Sequence, residues 1–136
     1  MGNDAMYFSC DVGKQLNIKS GTLDVNNYNY NDLFGVNFAM DKKQRIQTFE
    51  SGSTHGMALV GVNILSDGAV DKWKLENSWG ADKGDKGYLT MTDEWFNEYM
   101  FRVIIHKKYI DEKTLKILDQ KPIMLPPWDP MFMPEL

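Results

Sequence analysis

The sequence predicts an α+β domain in which an antiparallel sheet is flanked by short helices. Three observations carry this. "HGMALVGVNIL" (55–65) and "VDKWKLENSW" (70–79) are strand-like runs flanking "SDG", where Asp67-Gly68 is a strong hairpin signal. "DEWFNEYM" (93–100) places Trp95, Phe96, Tyr99 and Met100 at helical spacing, which predicts a helix docked on the sheet. The length of 136 residues, with 43% hydrophobic and 12% aromatic content, suits one domain with one core.

In chain order, "AMYFSCDV" (5–12) reads as a short strand, followed by a polar stretch rich in glycine and asparagine turn signals. "NDLFGVNF" (31–38) and "DKKQRIQTF" (41–49) begin with capping residues and space their apolar residues as helices do. A two-residue turn at Asp67-Gly68 sets Ser66 opposite Ala69 and so Asn77 opposite Ala58, three positions from His55. In the second strand Trp73, Leu75 and Asn77 alternate with Lys72, Lys74 and Glu76, which assigns Asn77 to the apolar face. His55, Met57 and Leu59 share one parity, so His55 faces the same side. "RVIIHKKY" (102–109) reads as a strand with His106 in it or at its end. "DEKTLKILDQ" (111–120) reads as an amphipathic helix. In the Pro-rich segment 122–136, Pro126, Pro127, Pro130 and Pro134 oppose helix and favour an extended arm.

Charge and composition exclude several functions. A net charge of −4 gives no electrostatic footprint for nucleic acid. No apolar run approaches the roughly 18 residues that a membrane span needs, and no signal pattern opens the chain, so the sequence predicts a soluble protein with no membrane partner. The single cysteine, Cys10, excludes an internal disulfide framework and fits a reducing compartment, with cytoplasm the default. Two histidines and one cysteine, widely spaced, lack the close ligand pairs of a zinc site, and no metal or cofactor is expected. Asp93 and Glu94 read as helix N-terminal charge rather than an acid–base pair.

That leaves His55 and Asn77, which share one end and one face of the hairpin. A buried asparagine needs hydrogen-bond partners, and a neutral imidazole can supply one. Two readings follow from the residues: a pair of mutually satisfied core groups, or an asparagine that orients a histidine as the base of a nucleophilic site.

"STHGMALVGV" (53–62), "WKLENSWG" (73–80) and "KGYLTMTDEWFNEY" (86–99) resemble the C-terminal part of papain-like cysteine peptidases, and "TDEWFNEY" with "LPPWDPM" is most similar to the bleomycin hydrolase and aminopeptidase C branch. The resemblance covers nearly the whole chain. It implies that the sheet is barrel-like, that His55 carries the proton, that Asn77 fixes its ring and that Trp79 shields their hydrogen bond. It also implies a peptide substrate, a homo-oligomeric parent (a hexamer in this branch) and a C-terminal arm whose terminal carboxylate, here that of Leu136, anchors the substrate's α-ammonium.

The family's nucleophile motif, a glutamine followed by a Cys-Trp pair, has no match. Cys10 is followed by Asp11, whose charge opposes thiol activation, and reads as a structural thiol. The chain is therefore expected to supply base and orienter while a separate N-terminal cysteine domain supplies the nucleophile, and to be inactive alone. Gly56 stands where the branch usually has alanine, and "FMPEL" replaces a small-residue ending. The alternatives are a noncatalytic binding or assembly module with a peptidase-derived fold, and a parent that cuts internally because of its altered arm.

Overall fold

The computed structural model describes residues 4–37 and 40–132, and its central feature is the hairpin of β4 (His55–Ile64) and β5 (Val70–Glu76). Its loop has three residues rather than two. Gly68 N–H donates to Leu65 O at 3.0 Å, Leu65 N–H donates to Ala69 O at 2.8 Å, and Gly68 has φ +88°, a left-handed value that suits glycine. Two bulges then shift the pairing, leaving Asp71 and Val60 without partners. Near the open end Leu59 faces Leu75 and Ala58 faces Glu76, so the expected pairing of Ala58 with Asn77 is corrected by one position. The correction draws Asn77 toward His55.

The other strands are β1 (Met6–Cys10), β2 (Leu16–Asn17), β3 (Thr22–Leu23), β6 (Tyr88–Thr92) and β7 (Met100–Ile104). They form a seven-stranded sheet, order β2-β3-β6-β5-β4-β1-β7, which curls as a half-barrel. Its pairs are antiparallel except β3 with β6, so the sheet is mixed. That parallel contact needs close backbone approach, and a Cβ on Gly21 would stand 2.7 Å from Gly84 Cα. Gly21 O accepts from Thr90 N–H at 2.8 Å in the resulting contact.

The helices are short: α1 (Tyr30–Phe34), α2 (Lys42–Gln47), α3 (Asp93–Tyr99) and α4 (Glu112–Leu115). Asn29 caps α1, Asp41 and Gln44 form a capping box on α2, and Thr92 Oγ1 accepts from Trp95 N–H to start α3. The first predicted helix ends at Gly35, and its Phe38 lies outside the described residues. The second predicted amphipathic helix shrinks to α4 and a 3₁₀ turn, with Ile117 and Leu118 exposed. Without an apolar surface beneath them, two turns are too few to hold an α-helix. The arm is not wholly extended, because a 3₁₀ turn spans Pro130–Phe132. Proline fits its first position, where no N–H is needed.

Phe8, Cys10, Leu23, Met57, Leu59, Leu75, Leu89, Met91 and Trp95 make the core, uniting the sheet's inner face with α3. Trp95 is fully buried, with its indole N–H donating to Lys14 O at 2.8 Å. Beside it Phe96 stacks on Trp73 at 5.1 Å between centroids, and Trp73 Nε1–H donates to Asp93 Oδ1 at 2.9 Å. Asp93 thus ties α3 to β5 as well as carrying charge at its helix start.

Candidate active site

His55 is the first residue of β4, and Asn77 follows the last residue of β5. His55 Nε2 lies 2.8 Å from Asn77 Oδ1. The same Oδ1 accepts from Ser78 N–H at 2.8 Å, and since a backbone N–H can only donate, the amide orientation is fixed. An amide oxygen can only accept, so Nε2 carries the proton and Nδ1 of the neutral ring bears the lone pair. Asn77 is also held by its backbone, with N–H donating to Gly87 O at 3.0 Å.

Trp79 stacks its indole 4.9 Å from the imidazole at an interplanar angle of 30°. It is 36% exposed, with its indole lying against the half-buried imidazole. Asn77 Nδ2 is buried and has no hydrogen bond among the described residues. An unpaired buried donor costs about 1–3 kcal/mol. The pair is therefore not a fully satisfied core arrangement.

Cys10 stands opposite His55 in the β1/β4 ladder but is fully buried. Burial, then the adjacent Asp11 charge, pushes its thiol up to about 12. It is a packing residue. His106 precedes a 3₁₀ turn (Lys107–Tyr109), beyond the end of β7, and its carbonyl accepts from Tyr109 N–H. A Cβ on Gly56 would stand 2.6 Å from Tyr7 Cε2 and its hydroxyl oxygen, so an alanine there requires the half-exposed Tyr7 ring to move. Tyr7 fills that space. A groove of about 360 Å³ lined by Tyr7, Gly56, Ala58, Glu76 and Asn77 runs beside the pair. A larger cavity of about 950 Å³, lined by residues including Tyr28, Phe34 and Tyr99, shares no lining residue with the His55 pair. Leu136 lies outside the described residues.

The segment that delivers His55 carries no sequence signal of its contacts. Ser51 is buried, and its Oγ–H donates to the buried Asp11 Oδ2 at 2.7 Å. Forty positions separate the two, and no local pattern marks them as partners.

The profile of the Peptidase C1-like family matches residues 1–132. The chain belongs to that family. It is 48% identical over 131 residues to human bleomycin hydrolase, covering 94% of this chain and 29% of that protein. It is 40% identical over 128 residues to aminopeptidase C of Lactococcus lactis subsp. lactis, with the same coverages. Among solved structures, PepW of Lactobacillus rhamnosis HN001 superposes with a TM-score of 0.86 at 42% identity, over 94% of this chain and 29% of that one. The chain thus spans under a third of the length of these relatives. The chain's fold is the papain-like α+β fold expected of this family.

Proposed function

We propose that this chain is the base-and-orienter half of a cysteine-type aminopeptidase, with the nucleophilic thiol supplied by residues outside these 136. The observation that carries the reading is the pairing of His55 Nε2 with an Asn77 Oδ1 whose orientation Ser78 N–H has already fixed. That bond commits the ring's proton to Nε2 and leaves Nδ1 as the acceptor for a thiol proton.

When the thiolate attacks a scissile carbonyl, His55 holds the transferred proton at Nδ1 as an imidazolium. Nε2–H keeps donating to Asn77 Oδ1 throughout, so the ring does not reorient between base and acid roles. Delivery of the Nδ1 proton to the leaving amine completes acyl transfer, and water releases the acyl group by the same route. Trp79 keeps water from competing for Oδ1, where the short bond is strongest in a low dielectric. Among the described residues Asn77 Nδ2 has no acceptor, so His55 and Asn77 do not satisfy each other as a closed core pair would.

Removal of one residue at a time from a free N-terminus is the substrate class that relatives named aminopeptidase C support. A cytoplasmic, homo-oligomeric parent belongs to the same proposal. The test is reconstitution: the nucleophile-bearing parent cleaves an aminoacyl fluorogenic substrate, its His55→Ala variant does not, and the chain alone is inert. Turnover by the chain alone that disappears in Cys10→Ala overturns the reading.

A further inference from the structure

Among the described residues, Ser9, Asp11 and Ser51 are the buried polar side chains, and Asp11 is the ionisable one of the three. Taking a carboxylate out of water is unfavourable unless protein donors replace the water. The donor to Asp11 comes from the short segment that precedes β4. Ser51 Oγ–H donates to Oδ2 at 2.7 Å, and the Gly52 backbone beside it favours the charged carboxylate. Three residues after Gly52 comes His55.

More bonds bind the same two stretches. Thr54 N–H donates to Cys10 O at 3.0 Å, and its hydroxyl donates to that oxygen at 3.3 Å while accepting from Val12 N–H at 3.3 Å. Lys14 Nζ pairs with Glu50 Oε1 at 2.6 Å. The β1/β4 ladder stops at Cys10 and His55, so sheet pairing does not hold the chain on the N-terminal side of His55. The residue entering this strap, Phe49, sits at φ +60°, a left-handed value that a non-glycine side chain adopts only when its surroundings enforce it. A strand end without such anchors frays, and fraying here would move the imidazole off Asn77 Oδ1.

We propose that Asp11 is a positioning residue for His55: its buried carboxylate grips Ser51 and so fixes the direction in which the chain enters the histidine. That His55 is a catalytic base rests on the function proposed above. The positioning itself does not.

The test separates the two. Label the chain with ¹⁵N-histidine and read both ring nitrogens of His55 by long-range ¹H–¹⁵N NMR in wild type, Asp11→Ala, Asp11→Asn, Ser51→Ala and Thr92→Ala. Wild type shows a single tautomer protonated at Nε2. Asp11→Ala moves both signals toward the averaged values of a free imidazole, Ser51→Ala moves them part of the way, and Asp11→Asn, which keeps an oxygen acceptor, stays near wild type. Thr92→Ala destabilises the chain through the α3 cap and leaves the ring signals in place. If Asp11→Ala folds and the His55 signals do not move, the inference is wrong. If Asp11→Ala does not fold, Ser51→Ala decides, and unmoved signals there overturn it equally. A shift of the same size in Thr92→Ala also overturns it, since general loosening would then explain the effect.

In the nucleophile-bearing parent, Asp11→Ala lowers kcat on the order of 10²-fold with KM nearly unchanged, the signature of a misplaced group rather than lost substrate binding. Should the ring signals shift as expected while the wild-type parent cleaves no peptide, the positioning stands and the proposed peptidase function fails.

Discussion

Cys10 and His55 face each other across β1 and β4, yet the imidazole bonds Asn77 and the thiol stays in the core. Neighbouring register therefore does not make a thiol–imidazole pair. Burial, followed by the Asp11 charge, raises the thiol from 9.0 to about 12, so at pH 8 its thiolate fraction falls about a thousandfold below that of an ordinary cysteine. Iodoacetamide should label native Cys10 at least that much more slowly than the same chain in guanidinium chloride, as followed by mass spectrometry. Comparable rates in the two states would show that Cys10 is an accessible nucleophile.

How much of this was legible in the sequence depended on how local each determinant is. Asp67-Gly68 and the alternation of Trp73, Leu75 and Asn77 declared the hairpin, and the spacing of Trp95, Phe96 and Tyr99 declared α3, because turn chemistry and helical period act over a few residues. The bulges at Val60 and Asp71 left no mark, because they depend on how two strands meet rather than on either alone. The parallel β3/β6 contact was hidden for the same reason, since two-residue strands carry no periodicity. His55 and Asn77 were found because both lie in one hairpin. Asp11 and Ser51 were not, because their bond joins distant stretches.

Asp11 also makes stability depend on pH. Burial, partly offset by the Ser51 hydrogen bond, raises its carboxyl above the usual 3.8, so between 3.8 and the raised value the folded chain binds more protons than the unfolded one. The sign follows from linkage: this contribution is fully present below pH 3.8 and is lost as pH rises through the folded value. Urea unfolding of wild type and Asp11→Asn across pH 3.5–7 should show wild type losing stability relative to the variant as pH rises. A constant difference would mean that Asp11 titrates as it does in the unfolded chain.

Gly56 and Tyr7 should behave as a coupled pair. Gly56→Ala sets a methyl against the Tyr7 ring, with contacts of 2.6 Å to Cε2 and the hydroxyl oxygen. Overpacking costs typically about 1–3 kcal/mol in a packed core, and the half-exposed Tyr7 ring holds Gly56→Ala to the low end of that range. Tyr7→Ala removes the obstacle, so the double variant should recover much of that loss, with a coupling energy of about 0.5–3 kcal/mol in a urea-unfolding cycle. Strict additivity would show that Tyr7 swings aside freely and does not constrain Gly56.

Trp95 is the residue on which α3 depends. It is fully buried and carries an indole hydrogen bond to Lys14 O, so Trp95→Ala leaves both a cavity and an unpaired carbonyl. Replacing a buried tryptophan by alanine costs about 3–5 kcal/mol. Chemical denaturation should register that loss. A loss under about 1 kcal/mol would mean that the sheet holds together without α3 docked on it.

The members of the His55 site should differ in how much activity each carries in the nucleophile-bearing parent. On the proposed mechanism His55 takes the thiol proton, and general base catalysis is worth about 10²–10⁴-fold, so His55→Ala should lower kcat by at least that range. Asn77→Ala keeps the base but removes the acceptor on Nε2–H, a hydrogen bond that becomes charge-assisted once the ring is an imidazolium. Such bonds contribute about 1.5–3 kcal/mol, which converts to about 10- to 150-fold in kcat. Trp79→Phe keeps an aromatic plate 4.9 Å from the ring while shrinking its cover, and should cost least. The ordering, measured as kcat at saturating aminoacyl substrate, is the informative result. An Asn77→Ala variant as impaired as His55→Ala would mean that Asn77 does more than orient the ring, and a Trp79→Phe loss exceeding that of Asn77→Ala would mean that the indole holds His55 by stacking rather than by excluding water.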